Sequence, residues 1–335
     1  MTIEEKLKLV AAEKQKINKD YGDGTVVSLK DAPKQVDAIS TGSLGLDIAL
    51  GIGGLPRGRI VEVYGKESCG KTTLSIHTMV EAQKKDGLCA VIDAEQSFDG
   101  FYAESLGLNL DRLELNQPDY GDQGLEIADR MISTGAFDVV LIDSVAALVP
   151  KSEIEREMGE SAMGKHAQLM SQACRKLTPI VKKTNTLVIF INQLREKIGV
   201  TYGNPDVTTG GNALKFYSSV RLEVTRSTTK DNSVFEGDLV SGNLTKVKVI
   251  KSKVSPPFRT CEFNILYGKG IDKINELIKV ASDLEIIKKW GKIITYDGNK
   301  YDIEVFNQML EDTPDFYLSL RKSVLNKVGV KDNTL

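Results

Sequence analysis

The chain has 335 residues, 41% apolar and 27% charged, with 44 Lys plus Arg against 46 Asp plus Glu and a formal net charge of −2. Such a length predicts about two domains and a core that needs no disulfide or metal staple, while the balanced charge excludes a bulk-basic nucleic-acid binder and leaves a local basic groove open. No apolar run approaches the roughly 18 residues that span a bilayer, and the charged start Met1-Thr-Ile-Glu-Glu-Lys is unlike a signal peptide, so a cytoplasmic protein with no membrane partner is expected.

Thr2-x-x-Glu5 fits a capping box, and Ile3, Leu7, Val10 and Ile17 recur at helical spacing up to Tyr21-Gly-Asp-Gly. An isolated helix of that length is marginal in water, so its apolar stripe is expected to lie either on the chain's own core or on a neighbouring copy. Eight of the 29 glycines fall between Gly42 and Gly70, a density that marks demanding backbone geometry. From Ile60 onward short apolar strands alternate with helices: strands over 60–64, 89–93, 139–143 and 187–191, helices over 72–84 and 124–133. Strands this uniformly apolar are buried on both faces, which predicts an α/β fold with a mostly parallel central sheet flanked by helices. Strands over 220–225 and 245–250 extend it. Beyond Gly270 a small α+β region is expected, with helices over 271–284, 305–310 and 316–328 and a hairpin over 292–303 turned by Asp297-Gly298. The organisation expected is thus an N-terminal helix and linker (1–35), an α/β core (36–270) and a C-terminal α+β domain (271–335). Cys69, Cys89, Cys174 and Cys261 form no Cys-x-x-Cys pair, and with only His77 and His166 beside them no zinc site is expected.

Gly65-Lys66-Glu67-Ser68-Cys69-Gly70-Lys71-Thr72 matches G-x-x-x-x-G-K-[ST] between a strand and a helix. Glycines let consecutive backbone N–H groups converge on phosphate oxygens, and the helix N-terminus adds its positive end. Lys71 would reach the β- and γ-phosphates and Thr72 would ligate Mg²⁺; Thr73 completes the nucleotide-binding set. Asp143, after four aliphatic residues, is either a turn residue before Ser144 or the second Mg²⁺-side carboxylate, and the phosphate loop favours the latter. Asp93 and Glu95 end a neighbouring strand at the same edge of the sheet, where ligands gather. Glu95 is the expected base for the attacking water, and Asp93 is read as structural. Gln193, at the end of the strand from 187, offers a neutral amide that can contact a γ-phosphate and lose it after hydrolysis, a switch.

These strand ends in this order resemble the bacterial RecA recombinase family. The resemblance is dense over about residues 36–270 and is carried by Ile39-Ser-Thr-Gly-Ser-Leu-Gly-Leu-Asp-Ile-Ala-Leu, Gly53-Gly-Leu-Pro-Arg-Gly-Arg-Ile, Ile142-Asp-Ser-Val-Ala-Ala-Leu, Phe190-Ile-Asn-Gln and, above all, Gly203-Asn-Pro-Asp-Val-Thr-Thr-Gly-Gly-Asn-Ala-Leu-Lys-Phe. It implies an ATP- and Mg²⁺-dependent, DNA-dependent ATPase that forms a head-to-tail filament on single-stranded DNA, pairs it with homologous double-stranded DNA and, in the SOS response, meets a LexA-like repressor. Asp99 and Tyr102 match the family's adenine-contacting pair, and Tyr267-Gly268 a segment closing over the nucleotide. Lys251 and Lys253 match lysines that reach a neighbour's ATP; on sequence alone they belong with Lys246 and Lys248 to a charged strand face. The N-terminal helix and the segment from Val36 to Ile39 resemble the docking element between subunits, with Phe216 on the receiving side.

Two DNA-facing loops are implied, over 155–164 and 194–209. The DNA-binding set is Met163, Ser171, Arg175, Arg195, Lys197, Ile198, Gly210, Gly211 and Asn212, with Met163 and Ile198 as wedges between bases by family analogy and as packing anchors without it. Gln96-Ser-Phe-Asp-Gly after Glu95, Gln168, Thr201-Tyr202 and a longer 227–242 depart from the family pattern and suggest a divergent or phage-encoded member. A ring-forming DNA motor and a nucleotide-gated adaptor share the ATPase core, but the two loops and Gly210-Gly-Asn argue against both.

Overall fold

The computed structural model describes residues 1–28, 30, 36–156, 164–196, 206–227, 233–236 and 239–334. The chain divides into two units, Met1–Val36 and Asp37–Leu335. In the first, the helix Ile3–Tyr21 starts on the expected capping box: the Glu5 amide donates to Thr2 Oγ1 at 3.3 Å and the Thr2 amide to Glu5 Oε2 at 2.8 Å. It ends where Gly22 takes φ 104°, and Ile3, Leu7 and Val10 on its apolar stripe are exposed.

The second unit is built on one large sheet whose strands run Gly270–Ile271, Thr260–Leu266, Leu239–Ser252, Val220–Arg226, Ile60–Gly65, Leu187–Glu196, Val139–Asp143, Cys89–Asp93 and Leu113–Asn116. From Val220–Arg226 to Leu113–Asn116 all neighbours are parallel; the strands on the other side of Val220–Arg226 are antiparallel. The period-two pleat explains why its strands are apolar throughout. Val61, Val63, Val91, Leu141 and Ile189 face one core, closed by the helices Leu44–Leu50 and Lys71–Gln83. Ile60, Ile92, Val140, Ile142 and Phe190 face the other, closed by Gly121–Ser133 and Lys165–Thr184. Each face is removed from water by helices, which is what parallel strands need.

Several expectations are corrected. The strand from Leu187 does not stop at Ile191 but runs to Glu196, and Leu194, Arg195 and Glu196 pair antiparallel with Thr208, Val207 and Asp206. The segment 194–209, expected as a loop, therefore begins and ends on a β-hairpin stem. The helix expected from 271 begins at Lys273, because Gly270–Ile271 pairs with Thr260–Leu266. Leu113–Asn116 was not expected as a strand; at the sheet edge its middle residues are exposed, so it lacks the apolar signature of its neighbours.

In the C-terminal region, Asp297 and Gly298 both take positive φ (49° and 78°) between Ile293–Tyr296 and Asn299–Asp302, the backbone a two-residue hairpin turn requires. Phe306 packs edge-on against Tyr296 and Phe316 over a core that includes Leu44 of the preceding layer. A buried clasp joins the two layers. Glu276 accepts from Ser43 Oγ at 2.5 Å and from the Leu44 and Gly45 amides at 3.0 and 2.9 Å, at the start of the helix Leu44–Leu50. Asp47 of that helix accepts from Arg321 at 3.2 Å, both side chains being nearly inaccessible. Removing Glu276 strands three buried donors, so Glu276→Ala is expected to cost about 3 kcal/mol; denaturant unfolding of the full chain checks it, and a loss of a few tenths would contradict the clasp.

Candidate nucleotide and DNA site

The register brings the predicted strand ends together. Gly65 lies opposite Gln193, and Asp93 opposite Asp143, on neighbouring parallel strands. Their carboxyl ends share one edge of the sheet, the place where α/β folds bind ligands. After Gly65 the chain turns through Ser68 (φ 53°) and Gly70 (φ 96°, ψ 16°), and the helix Lys71–Gln83 starts at once. Gly70 has to be glycine: φ is left-handed, and a Cβ there would collide with Ile265 Cδ1. The loop and the N-terminus of the helix thus border one concavity, the arrangement that receives phosphates.

Lys71 is buried; its Nζ donates to the Lys66 carbonyl at 2.7 Å and the Gly65 carbonyl at 3.3 Å. Thr72 Oγ1 donates to Asp143 Oδ2 at 2.9 Å. Burial holds the Asp143 carboxyl up at about 6; the Thr72 hydroxyl pulls it down, Glu95 and Asp93 push it up, and Lys71 opposes them. Beside it, Glu95 Oε1 accepts from Gln193 Nε2 at 2.9 Å and also from the Ser144 hydroxyl. Asp93 is committed elsewhere, accepting from the Phe98 amide and Gln117 Nε2, each at 2.9 Å.

A cleft of about 220 Å³ opens over the loop, lined by Ser68, Cys69, Gly70, Lys71, Thr72, Thr73, Tyr102 and Tyr267 together with Asn243 and Ile265. Tyr102 OH meets Thr73 Oγ1 at 3.0 Å, and Asp99 caps the helix Gly100–Ser105 by accepting from the Tyr102 amide at 3.0 Å. Tyr267 is half exposed and accepts from Arg226 Nη2 at 2.9 Å; the Gly268 carbonyl accepts from Ser105 Oγ at 3.2 Å. Asn243 and Ile265 escaped the sequence reading because they sit on antiparallel strands with no motif of their own.

Lys251 and Lys253 lie outside the residues that line this cleft. Lys251 Nζ donates to the carbonyls of Lys215 and Phe216 at 2.6 and 3.1 Å, and Lys253 Nζ to that of Phe216 at 3.4 Å; the Phe216 side chain is exposed. Burial, then Lys253 and Arg221 close by, hold the Lys251 ammonium below its ordinary pKa. Of the DNA-facing set, Met163, Lys197 and Ile198 lie outside the described residues. Arg195 is on the hairpin stem, Ser171 and Arg175 share the helix Lys165–Thr184, with Arg175 Nε donating to the Ser171 carbonyl at 3.3 Å. Gly210 and Gly211 take φ 81° and 72°, and Asn212 precedes the short helix Ala213–Tyr217.

A phosphate loop, a hydroxyl paired with a strand-end carboxylate and a second carboxylate bonded to a sensor-like amide define a P-loop ATPase on an extended parallel sheet. The family model for the RecA N-terminal domain matches residues 8–272. Among similar proteins, Protein RecA of Cytophaga hutchinsonii is 58% identical over 297 residues, covering 88% of this chain and 83% of its own. Those of Clostridioides difficile (52% over 324 residues; 96% and 92%) and Porphyromonas gingivalis (50% over 331 residues; 98% and 96%) match nearly end to end. The chain belongs to the RecA family: it is a recombinase, a DNA-dependent ATPase that forms filaments on single-stranded DNA and acts in homologous recombination and repair. Among the described residues no helix is long and apolar enough to cross a membrane. Gly70→Ala is expected to destabilise the chain by about 2–4 kcal/mol through left-handed strain and collision, measured by thermal unfolding; an unchanged midpoint would contradict the loop geometry.

Proposed function

We propose that the strand-end cluster is the ATPase centre and that its nucleotide state sets the grip on DNA. The backbone from Gly65 to Thr73, with Lys66, Glu67, Ser68 and Cys69 between the glycines, cradles the phosphates of ATP; the Lys71 ammonium neutralises the β- and γ-oxygens. Tyr102 stacks on the adenine with Asp99 beside it, and Tyr267-Gly268 covers it from the other side of the cleft. Thr72 and Asp143 suit a Mg²⁺ ion: a buried carboxyl pushed up to about 6 next to further carboxylates is a place a cation relieves. Mg²⁺ is commonly held by one carboxylate, a hydroxyl and the substrate's own phosphates, which agrees with the lack, among the described residues, of any cluster of three or more His, Cys, Asp or Glu that could hold a metal unaided. Bound there, Mg²⁺ would supply charge neutralisation between the β- and γ-phosphates.

Glu95 orients and polarises the attacking water. The observation that carries the coupling is that Gln193 Nε2 bonds the same Glu95 carboxylate at 2.9 Å: base and switch are in contact, and Gln193 is followed directly by the stem of the second loop. In the filament, Lys251 and Lys253 of one copy complete the phosphate cage of the next, as an arginine finger does; both ammonium groups stand at the carbonyl of the exposed Phe216 and outside the lining of the chain's own cleft, which favours this. The N-terminal helix docks on the neighbour. Single-stranded DNA lies along the two loops, held by backbone amides at Gly210 and Gly211 and by Ser171, Arg175, Arg195, Lys197 and Asn212 without sequence readout, with Met163 and Ile198 as wedges. Double-stranded DNA is the second substrate, a LexA-like repressor a further partner, and the cytoplasm the site of action.

Lys71→Ala is expected to lower ATP turnover by about a hundredfold or more; undiminished turnover of the purified variant would remove the assignment. Gln193→Ala is expected to keep nucleotide binding and lose stimulation by single-stranded DNA; a variant still strongly stimulated would refute the switch.

A further inference from the structure

Asn192 stands beside Gln193 on the same strand, so its side chain points to the opposite face of the sheet. It is fully buried, and every hydrogen-bonding position of its amide is taken. Nδ2 donates to Glu62 Oε1 at 2.8 Å and to the Thr209 carbonyl at 3.0 Å; Oδ1 accepts from Thr209 Oγ1 at 2.5 Å and from the Gln193 amide at 2.9 Å. Glu62, equally buried, lies on the strand that leads into the phosphate loop, and its other oxygen accepts from Arg221 Nε at 2.5 Å.

Three segments therefore meet on one amide: the strand entering the phosphate loop, the strand that carries Gln193, and Thr209, where the second loop returns from its hairpin stem. Past Thr209 the backbone is pressed onto the helix that carries Ser171 and Arg175; a Cβ on Gly211 would stand 2.8 Å from Ala167 Cβ. The oxygen that holds the Thr209 hydroxyl also accepts from the Gln193 backbone. A displacement of Gln193 toward a phosphate thus acts directly on the bond that fixes the returning arm.

We propose that Asn192 is a positioning residue that carries the state of the Gln193–Glu95 contact to the returning arm of the second DNA loop through its bonds to Thr209. This rests on Gln193 being the nucleotide sensor. It adds a second connection: the loop is tied to the switch at its far end as well as where it leaves the strand. A fully satisfied buried amide suits the role, because any partner it loses is left unpaired at a cost.

The test is a linkage measurement on the full chain with a fluorescein-labelled oligo(dT) and a non-hydrolysable ATP analogue. The quantity read is the ratio of DNA affinities with and without the analogue. Thr209→Val removes the hydroxyl and keeps the shape. It is expected to cut that ratio on the order of tenfold, while analogue affinity without DNA stays within about twofold. Thr209→Ser should restore the ratio. If the valine variant does not fold, Thr209→Ala, which adds no bulk, is read in the same way. An unchanged ratio, a parallel fall of both DNA affinities that leaves the ratio intact, or a serine variant that fails to restore it would each overturn the proposal. Gln193→Ala separates the two layers: if it keeps the full ratio, the sensor reading itself fails. If Gln193→Ala loses the ratio and Thr209→Val keeps it, only the role of Asn192 fails.

Discussion

One carboxylate oxygen, Oε1 of Glu95, accepts from the Gln193 amide and from the Ser144 hydroxyl, and the functional account depends on that convergence. Glu95 follows one strand, Ser144 follows a second and Gln193 lies within a third, so the contact exists only because the parallel register brings these positions together. In the proposed mechanism that carboxylate acts on water near a terminal phosphate, and a ligand atom that competes for the Gln193 amide disturbs the strand that leads into the proposed DNA-binding loop. Coupling of this kind needs a difference in contacts between two states, and a hydrogen bond that either a carboxylate or a phosphate can accept supplies one.

The rigid parts make such a small event legible to the rest of the molecule. Two close-packed apolar layers hold the strands, so neighbouring strand ends do not drift independently. Polar groups set into those layers cross-link them: Asn192 with Glu62 and Arg221 near the loops, Glu276 with Ser43 and Asp47 with Arg321 at the C-terminal junction. The phosphate loop contributes the opposite property, a backbone bent through left-handed conformations at Ser68 and Gly70, the kind of turn that lets successive amides receive an anion. Preorganised donors of this sort lose little on reaction because they need no rearrangement.

Much of this was legible in the residues. The apolar runs at 60–64, 89–93 and 139–143 announced buried parallel strands because both of their faces had to be covered, and the glycine spacing of the phosphate loop announced its backbone. Asp143, Glu95 and Gln193 could be placed at one edge because each ends such a run. What escaped had a physical reason. Leu113–Asn116 and the hairpin stem at Leu194–Arg195 lie where strands meet solvent, and their polar composition carries no burial signal. Asn243 and Ile265 reach the cleft from strands far along the chain, and three of the four bonds of Asn192 join it to residues 17 and 130 positions away, which no local pattern encodes.

Hydrogen exchange on the DNA-free protein, with and without a non-hydrolysable ATP analogue, reads the central claim most directly. If nucleotide contact at the Glu95–Gln193 pair is transmitted to the loop, the amides of the Leu194–Arg195 and Val207–Thr208 stem gain protection together with those of the phosphate loop. Protection confined to the phosphate loop, with the stem exchanging as before, would contradict the account.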